Sequence, residues 1–145
     1  MPALVLTGTQ VSQGNLNGKT LDGTVANTVL YTYDMGPCVA VCGYNGQIAF
    51  MIHSDSTGAG GIGRTDLITG LRSLVSTIGT GAGFTITLNG GSINGVADYL
   101  AQNLSGATVV KGVESDGAYI TWNGKVATTK AKLAEALGVD SVTIQ

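Results

Sequence analysis

Charge is what this chain has least of. Only 11% of its 145 residues are Asp, Glu, Lys or Arg, against roughly 25% in an ordinary soluble protein. The seven lysines and arginines are scattered, and the formal net charge is −2. With no basic stripe to follow a phosphate backbone, nucleic-acid binding is not expected. Long apolar runs are missing too, none approaching the roughly 18 residues a membrane-spanning helix needs. The start, Met1-Pro2-Ala3-Leu4-Val5-Leu6, lacks the basic region and full apolar stretch of a secretory signal. A cytoplasmic location is expected, and export by a leaderless secretion route would leave no trace in this pattern.

Cysteine is scarce. Cys38 and Cys42 are the only two. On an extended strand their Cα atoms lie about 13 Å apart at ~3.3 Å per residue. A disulfide needs roughly 4.4–6.8 Å. The same separation prevents them from sharing one zinc with His53. Two free thiols are expected, in keeping with a reducing compartment, and no metal or other cofactor. Histidine is scarcer still, with His53 alone. A Walker A motif and a G-x-S-x-G nucleophile elbow are both absent, so a serine triad has no support.

Glycine, at 23 residues, fills much of the space left by charge, together with Thr, Ser and Asn. Hydrophobic residues reach 43%, enough for a core. This mix suits many strands and turns. The length, with no repeat or linker, predicts one domain over residues 1–145.

Residues 7–24 show little periodicity and read as loops around at most short strands. Residues 28–33, Thr-Val-Leu-Tyr-Thr-Tyr, are β-branched and aromatic and predict a strand. Asp34-Met35-Gly36-Pro37 predicts a turn, with Pro37 biasing Gly36 towards extended backbone. Leu67, Ile68, Leu71, Leu74, Val75 and Ile78 share one helical face, predicting a helix over 65–78. A strand is expected over 84–88. A helix follows, capped by Ser92, burying Val96, Ala97, Leu100, Ala101 and Leu104, and stopped by Gly106. Strands near 107–111 and 117–122, a turn at Asn123-Gly124 and a helix over 129–137 stopped by Gly138 complete the pattern. The expected class is α+β, with mixed β-sheets packed as a sandwich and flanking helices.

The most informative segment is 38–53. Asn45-Gly46 stands between two apolar runs, the strongest short-range signal for a two-residue hairpin turn. That turn pairs Tyr44 with Gln47 and, counting back, Cys38 with His53. Opposed residues share a face, with Cβ atoms roughly 4.5–5.5 Å apart. Local turn chemistry thus brings the sole histidine against a cysteine, the minimum equipment for thiol nucleophilic catalysis. The alternative is two core residues on neighbouring strands, since cysteine often only fills space. Three features favour catalysis. Cys38 opens a strand just after a Gly-Pro turn. His53 opens the polar stretch Ser54-Asp55-Ser56-Thr57. Thr32, on the preceding strand, is a candidate to orient the imidazole. Cys42, deeper in the hairpin and opposite Ala49, reads as an inert core thiol.

Gly58-Ala59-Gly60-Gly61-Ile62-Gly63 matches G-x-G-x-x-G between a strand and a helix. A dinucleotide site also wants an acidic residue about 20 positions on. No Asp or Glu occurs between Asp66 and Asp98, so a flexible lid or rim beside His53 is the better reading. Asp55 and Asp66 read as turn and helix-start residues.

At these residues the chain resembles the cysteine-dependent protein glutamine deamidases: the chemotaxis receptor deamidase CheD, the cytotoxic necrotizing factor catalytic domain and Burkholderia-lethal-factor-type toxins. The shared signature is a small-residue turn ending in Cys at a strand start, a His on the following strand and, in some members, a Thr six residues before the Cys. Met35-Gly36-Pro37-Cys38, His53 and Thr32 match it. Cys38-Val39-Ala40-Val41-Cys42 followed by Tyr44 is similar to the stretch after the CheD nucleophile. Residues 84–93 and Ser115-Asp116-Gly117 echo CheD more weakly. The likeness spans residues 28–126 in order, with its specific part at 32–53. Two positions depart from the pattern. Gly36-Pro37 stands where CheD and the lethal-factor type have Gly-Ser, which removes one backbone N–H. Ser54-Asp55-Ser56 stands where CheD continues with Leu-Pro.

The resemblance implies a deamidase-like fold and a bacterial enzyme with a protein substrate carrying a target glutamine, either a chemoreceptor or the host target of a delivered effector or toxin. It implies Cys38 as nucleophile, His53 as base, Thr32 as the residue holding the imidazole, and the Cys38 backbone N–H as oxyanion donor. The competing expectations are a non-catalytic binding or assembly module on the same fold, and another thiol hydrolase or transglutaminase.

Overall fold

The computed structural model of the chain describes residues 2–55, 63–75 and 83–145, the first four residues of the middle stretch by backbone alone. The elements run β1 Ala3–Gln10, β2 Lys19–Asp22, β3 Thr28–Thr32, β4 Val39–Tyr44, β5 Ile48–Ser54, α1 Gly63–Leu74, β6 Thr85–Gly90, α2 Ile93–Asn103, β7 Thr108–Lys111, β8 Ala118–Thr121, β9 Val126–Ala127, α3 Lys130–Leu137 and β10 Ser141–Ile144. The glycine-rich motif at 58–63 falls outside the described residues except for Gly63, which begins α1. Ile78 falls outside them too.

The strands form two mixed five-stranded sheets, in the orders β10-β1-β3-β8-β9 and β2-β5-β4-β6-β7. Side-chain alternation sorts the apolar residues into three buried clusters. Leu30 of β3 and Ile120 of β8 meet Ala40, Cys42, Ala49 and Met51 of β4 and β5, so the sheets pack face to face. The outer face of the second sheet, with Val39, Val41, Phe50 and Ile52, lies under α1 and α2. The outer face of the first, with Leu6, Val29 and Tyr119, is covered by Leu133 and Ala134 of α3. The α+β class is as expected. No helix among the described residues is long and apolar enough to cross a membrane.

Local signals place most elements. Thr129 caps α3, its side chain accepting from the Lys132 N–H at 3.1 Å, and Gly138 ends it at φ +70°. In α2, Val96, Ala97 and Leu100 are buried as their spacing predicts, while Ala101 is exposed. Ser92 holds the N-cap position without a side-chain cap bond, and Leu104 closes the helix ahead of Gly106. Residues 7–24, expected to hold at most short strands, contain the second half of β1 and the four-residue β2. β1 pairs in parallel with β10 through its first half and with β3 through its second. Those partners are remote in sequence, and a half-exposed, polar strand of this kind carries no strong alternation.

The β4–β5 hairpin forms, but with a different register. Tyr44 pairs with Ala49 and Ala40 with His53. Gly46 has φ +92° and takes the first central position of the turn, where a type II′ hairpin accepts glycine. Asn45 sits before it and uses its side chain, Oδ1 accepting from the N–H groups of Gln47 at 2.9 Å and Ile48 at 2.8 Å. The central pair is therefore Gly46-Gln47 instead of Asn45-Gly46. Moving the turn by one residue shifts the pairing by two, which preserves every side chain's face. A shift of one would have placed Phe50 and Ile52 between the sheets and His53 under the helices.

Candidate functional site

His53, near the end of β5, is only 3% exposed. Its backbone is held from outside by residues 13 and 14, through a parallel bridge to Gln13 and a 2.9 Å bond from the Gly14 N–H to its carbonyl. Its ring enters the space between the sheets and meets Thr32, the last residue of β3. Thr32 Oγ1 lies 2.7 Å from His53 Nδ1 and donates to the Val11 carbonyl at 2.9 Å. A hydroxyl has one proton. With that proton on Val11, Thr32 must accept from His53, so the imidazole carries its hydrogen on Nδ1. Nε2 is left with a bare lone pair. It is buried, with no hydrogen-bond partner among the described residues.

Burial lowers the His53 pKa from its ordinary 6.5, while the charges of Asp55 and Asp34 pull it upward. Desolvation is the larger effect, so the ring is neutral at pH 7. A neutral imidazole with a fixed tautomer and a free nitrogen is equipped to take a proton.

Cys38 precedes β4 and is 8% exposed. Its side chain joins Ala40 and Cys42 in the inter-sheet cluster, on the face His53 shares. The register shift makes Cys38 and His53 diagonal neighbours instead of directly opposed ones. Diagonal positions lie roughly 7–8 Å apart, and no hydrogen bond joins the Cys38 thiol to His53 Nε2.

The turn before Cys38 departs from expectation in two ways. Gly36 has φ +49°, so it takes the left-handed region instead of extended backbone. The Cys38 N–H donates to the Met35 carbonyl at 2.7 Å, closing a four-residue turn. The proposed oxyanion donor is thus already engaged. The turn is tied to the end of β6: the Gly91 N–H bonds the Cys38 carbonyl at 2.7 Å, and the Ser92 N–H bonds the Pro37 carbonyl at 3.0 Å. This approach requires glycine. A Cβ on Gly91 would stand 2.5 Å from the Gly36 oxygen, and one on Gly90, at φ +125°, would stand 2.5 Å from the Cys38 oxygen.

Cys42 is fully buried, and desolvation pushes its thiol up to about 12. It is unavailable as a nucleophile, as its place in the hairpin predicts. Both cysteines are free.

A cleft of about 250 Å³ opens beside the ring, lined by Val11, Gln13, Thr32, Tyr33, Asp34 and His53 among others. Gln13 Nε2 donates to Asp55 Oδ1 at 2.6 Å. Asp34 has φ +56°, a conformation aspartate tolerates better than most residues. Val11 and Gln13 carry no sequence signal for a role at the site, because their stretch shows little periodicity and their partners are distant. Asp34 was legible only as a turn residue. A larger cavity of about 560 Å³, with Leu21, Ile48 and Leu74, lies at the other end of the hairpin and contains neither Cys38 nor His53. The smaller cleft holds Thr32 and His53, and Cys38 is not among its lining residues.

Comparison of the chain with protein-family models and with curated proteins gives no match in either.

Proposed function

We propose that the protein is a cysteine-dependent glutamine deamidase acting on a protein substrate, with Cys38 as nucleophile, His53 as general base and Thr32 as the positioning residue. The observation that carries this reading is the 2.7 Å Thr32–His53 bond, which keeps the hydrogen on Nδ1 and leaves Nε2 free to take a proton. His53 Nε2 takes the thiol proton as Sγ attacks the side-chain amide carbon of the substrate. The imidazolium returns that proton to the departing nitrogen, releasing ammonia and leaving a thioester. His53 then draws a proton from water, whose oxygen attacks the thioester carbonyl. The C–S bond breaks, Cys38 regains its proton, and the product is glutamate. Diagonal placement suits a pair that tightens when substrate binds, as catalytic hydrogen bonds in free enzymes often do. The sequence signature at 32–53 supports a deamidase-like fold, and a bacterial effector or chemoreceptor-type role accompanies it.

The test is expression of the wild type beside Cys38→Ala in host cells, with proteome-wide mass spectrometry for Gln-to-Glu conversion. A glutamine converted only by the wild type supports the proposal, and the absence of any such site sinks it.

The engaged Cys38 N–H favours a second reading, a non-catalytic binding module that keeps the pair for structure. Rapid alkylation of Cys38 near neutral pH separates the enzyme from the module, in which labelling would be slow.

A further inference from the structure

The cleft beside His53 has an acidic and aromatic wall that the proposed chemistry does not use. Tyr33 and Asp34 line it with His53, and the charges of Asp55 and Asp34 both act on the ring. Asp55 accepts from Gln13, but a neutral amide leaves its charge uncompensated. A neighbouring hollow of about 360 Å³ is lined by Gly36, Glu114, Ser115 and Asp116, and the Asp116 carbonyl bonds the Met35 N–H at 3.3 Å. Carboxylates thus flank the Cys38 turn on both sides, and among the described residues no lysine or arginine lines either opening.

Tyr33 is held in place by its neighbours. Its ring packs against Tyr31 at 5.4 Å and Tyr119 at 6.1 Å between centroids, and its hydroxyl accepts from Tyr119 at 3.2 Å. Gly117 lies against it, with space for a Cβ only 3.1 Å from the ring. An aromatic ring beside a carboxylate fits a cationic side chain, through the ring face and the charge together. His53, 3% exposed, lines the same cleft.

We propose that the Tyr33–Asp34–His53 cleft receives an arginine or lysine side chain flanking the target glutamine, so that the protein selects basic segments of its substrate. This rests on the deamidase reading for the role of the glutamine, while the recognition itself is a binding property.

The experiment uses the full chain and fluorescent glutamine-centred peptides flanked by Arg, Ala or Glu. Binding is read by anisotropy on the Cys38→Ala protein, and conversion by mass spectrometry on the wild type. The Arg peptide should bind about tenfold more tightly than the Glu peptide, a preference that shrinks as salt rises. Asp34→Asn keeps a residue that tolerates the left-handed backbone and should cut the preference severalfold. Equal binding of the three peptides, no binding of any, or an unchanged preference in Asp34→Asn overturns the proposal. Arg-selective binding without conversion sinks the deamidase reading and leaves the cleft assignment standing. Conversion without Arg preference does the reverse.

Discussion

Thr32 and His53 come from different sheets and meet between them, Oγ1 to Nδ1 at 2.7 Å. The contact is directional, because the Thr32 proton is committed to the Val11 carbonyl at 2.9 Å. A residue of the first sheet therefore sets the tautomer of a residue of the second. The wild-type imidazole should show a protonated Nδ1 and a bare Nε2 in its nitrogen NMR shifts. Thr32→Val keeps the side chain's shape but removes the hydroxyl. It should lower stability by about 1–3 kcal/mol, the usual cost of stranding buried polar groups, read from urea unfolding. The Nδ1-protonated signature should weaken with it. An unchanged tautomer in Thr32→Val would show that something other than the hydroxyl sets it.

His53 should make stability depend on pH in a definite direction. Its folded pKa lies below the unfolded value of 6.5, so the unfolded chain binds the proton more readily. The stabilisation is full above about 6.5 and is lost as pH falls from there through the folded pKa. Unfolding midpoints of the wild type and His53→Gln across this range should converge as pH drops. Parallel curves would mean that burial of the ring carries no such linkage. Asp34→Asn or Asp55→Asn removes a charge that favours the imidazolium, and should move the His53 titration lower still.

The two thiols should separate cleanly in alkylation. Cys42 is fully buried with its thiol raised to about 12. It should react with iodoacetamide only as the protein unfolds. Cys38, just ahead of the same strand and 8% exposed, should label in the native state. Peptide mapping over a time course measures both rates, and equal rates would contradict the placement of Cys42.

Gly90→Ala should disturb the Cys38 turn without touching its side chain. The new Cβ would stand 2.5 Å from the Cys38 carbonyl, at a backbone φ of +125°. Strain of this kind costs on the order of 1–3 kcal/mol before the clash is counted. Unfolding measurements should show at least that loss, and the native alkylation rate of Cys38 should change. An unaltered rate would mean that the turn does not depend on β6.

Sequence and fold agree best where the signal is local. α3 carries its own cap and stop in Thr129 and Gly138, and the faces of α1 and α2 follow from apolar spacing. The Asn45-Gly46 pair correctly announced a hairpin, but it could not place the turn. Glycine at either central position is compatible with a tight hairpin. The choice fell to Gly46-Gln47, with the Asn45 side chain bonding the Gln47 and Ile48 N–H groups. Residues 7–24 predict at most short strands, and the second half of β1 and all of β2 lie there, because their stability comes from partners elsewhere in the chain.

By itself the sequence determined that Cys38 and His53 share a face. Period-two alternation survives any even register shift, and the apolar residues on the other face exclude an odd one. It also placed Cys42 in the core and Thr32 on the preceding strand. Only the tertiary structure decided that the pair is diagonal, that the Cys38 N–H is already bonded, and that Val11 orients Thr32 towards His53. Those outcomes depend on contacts between segments far apart in the chain, each fixed by the packing of one sheet on the other. Residue order specifies which groups are available to meet, and the geometry of the assembled sheets selects which hydrogen bonds they make.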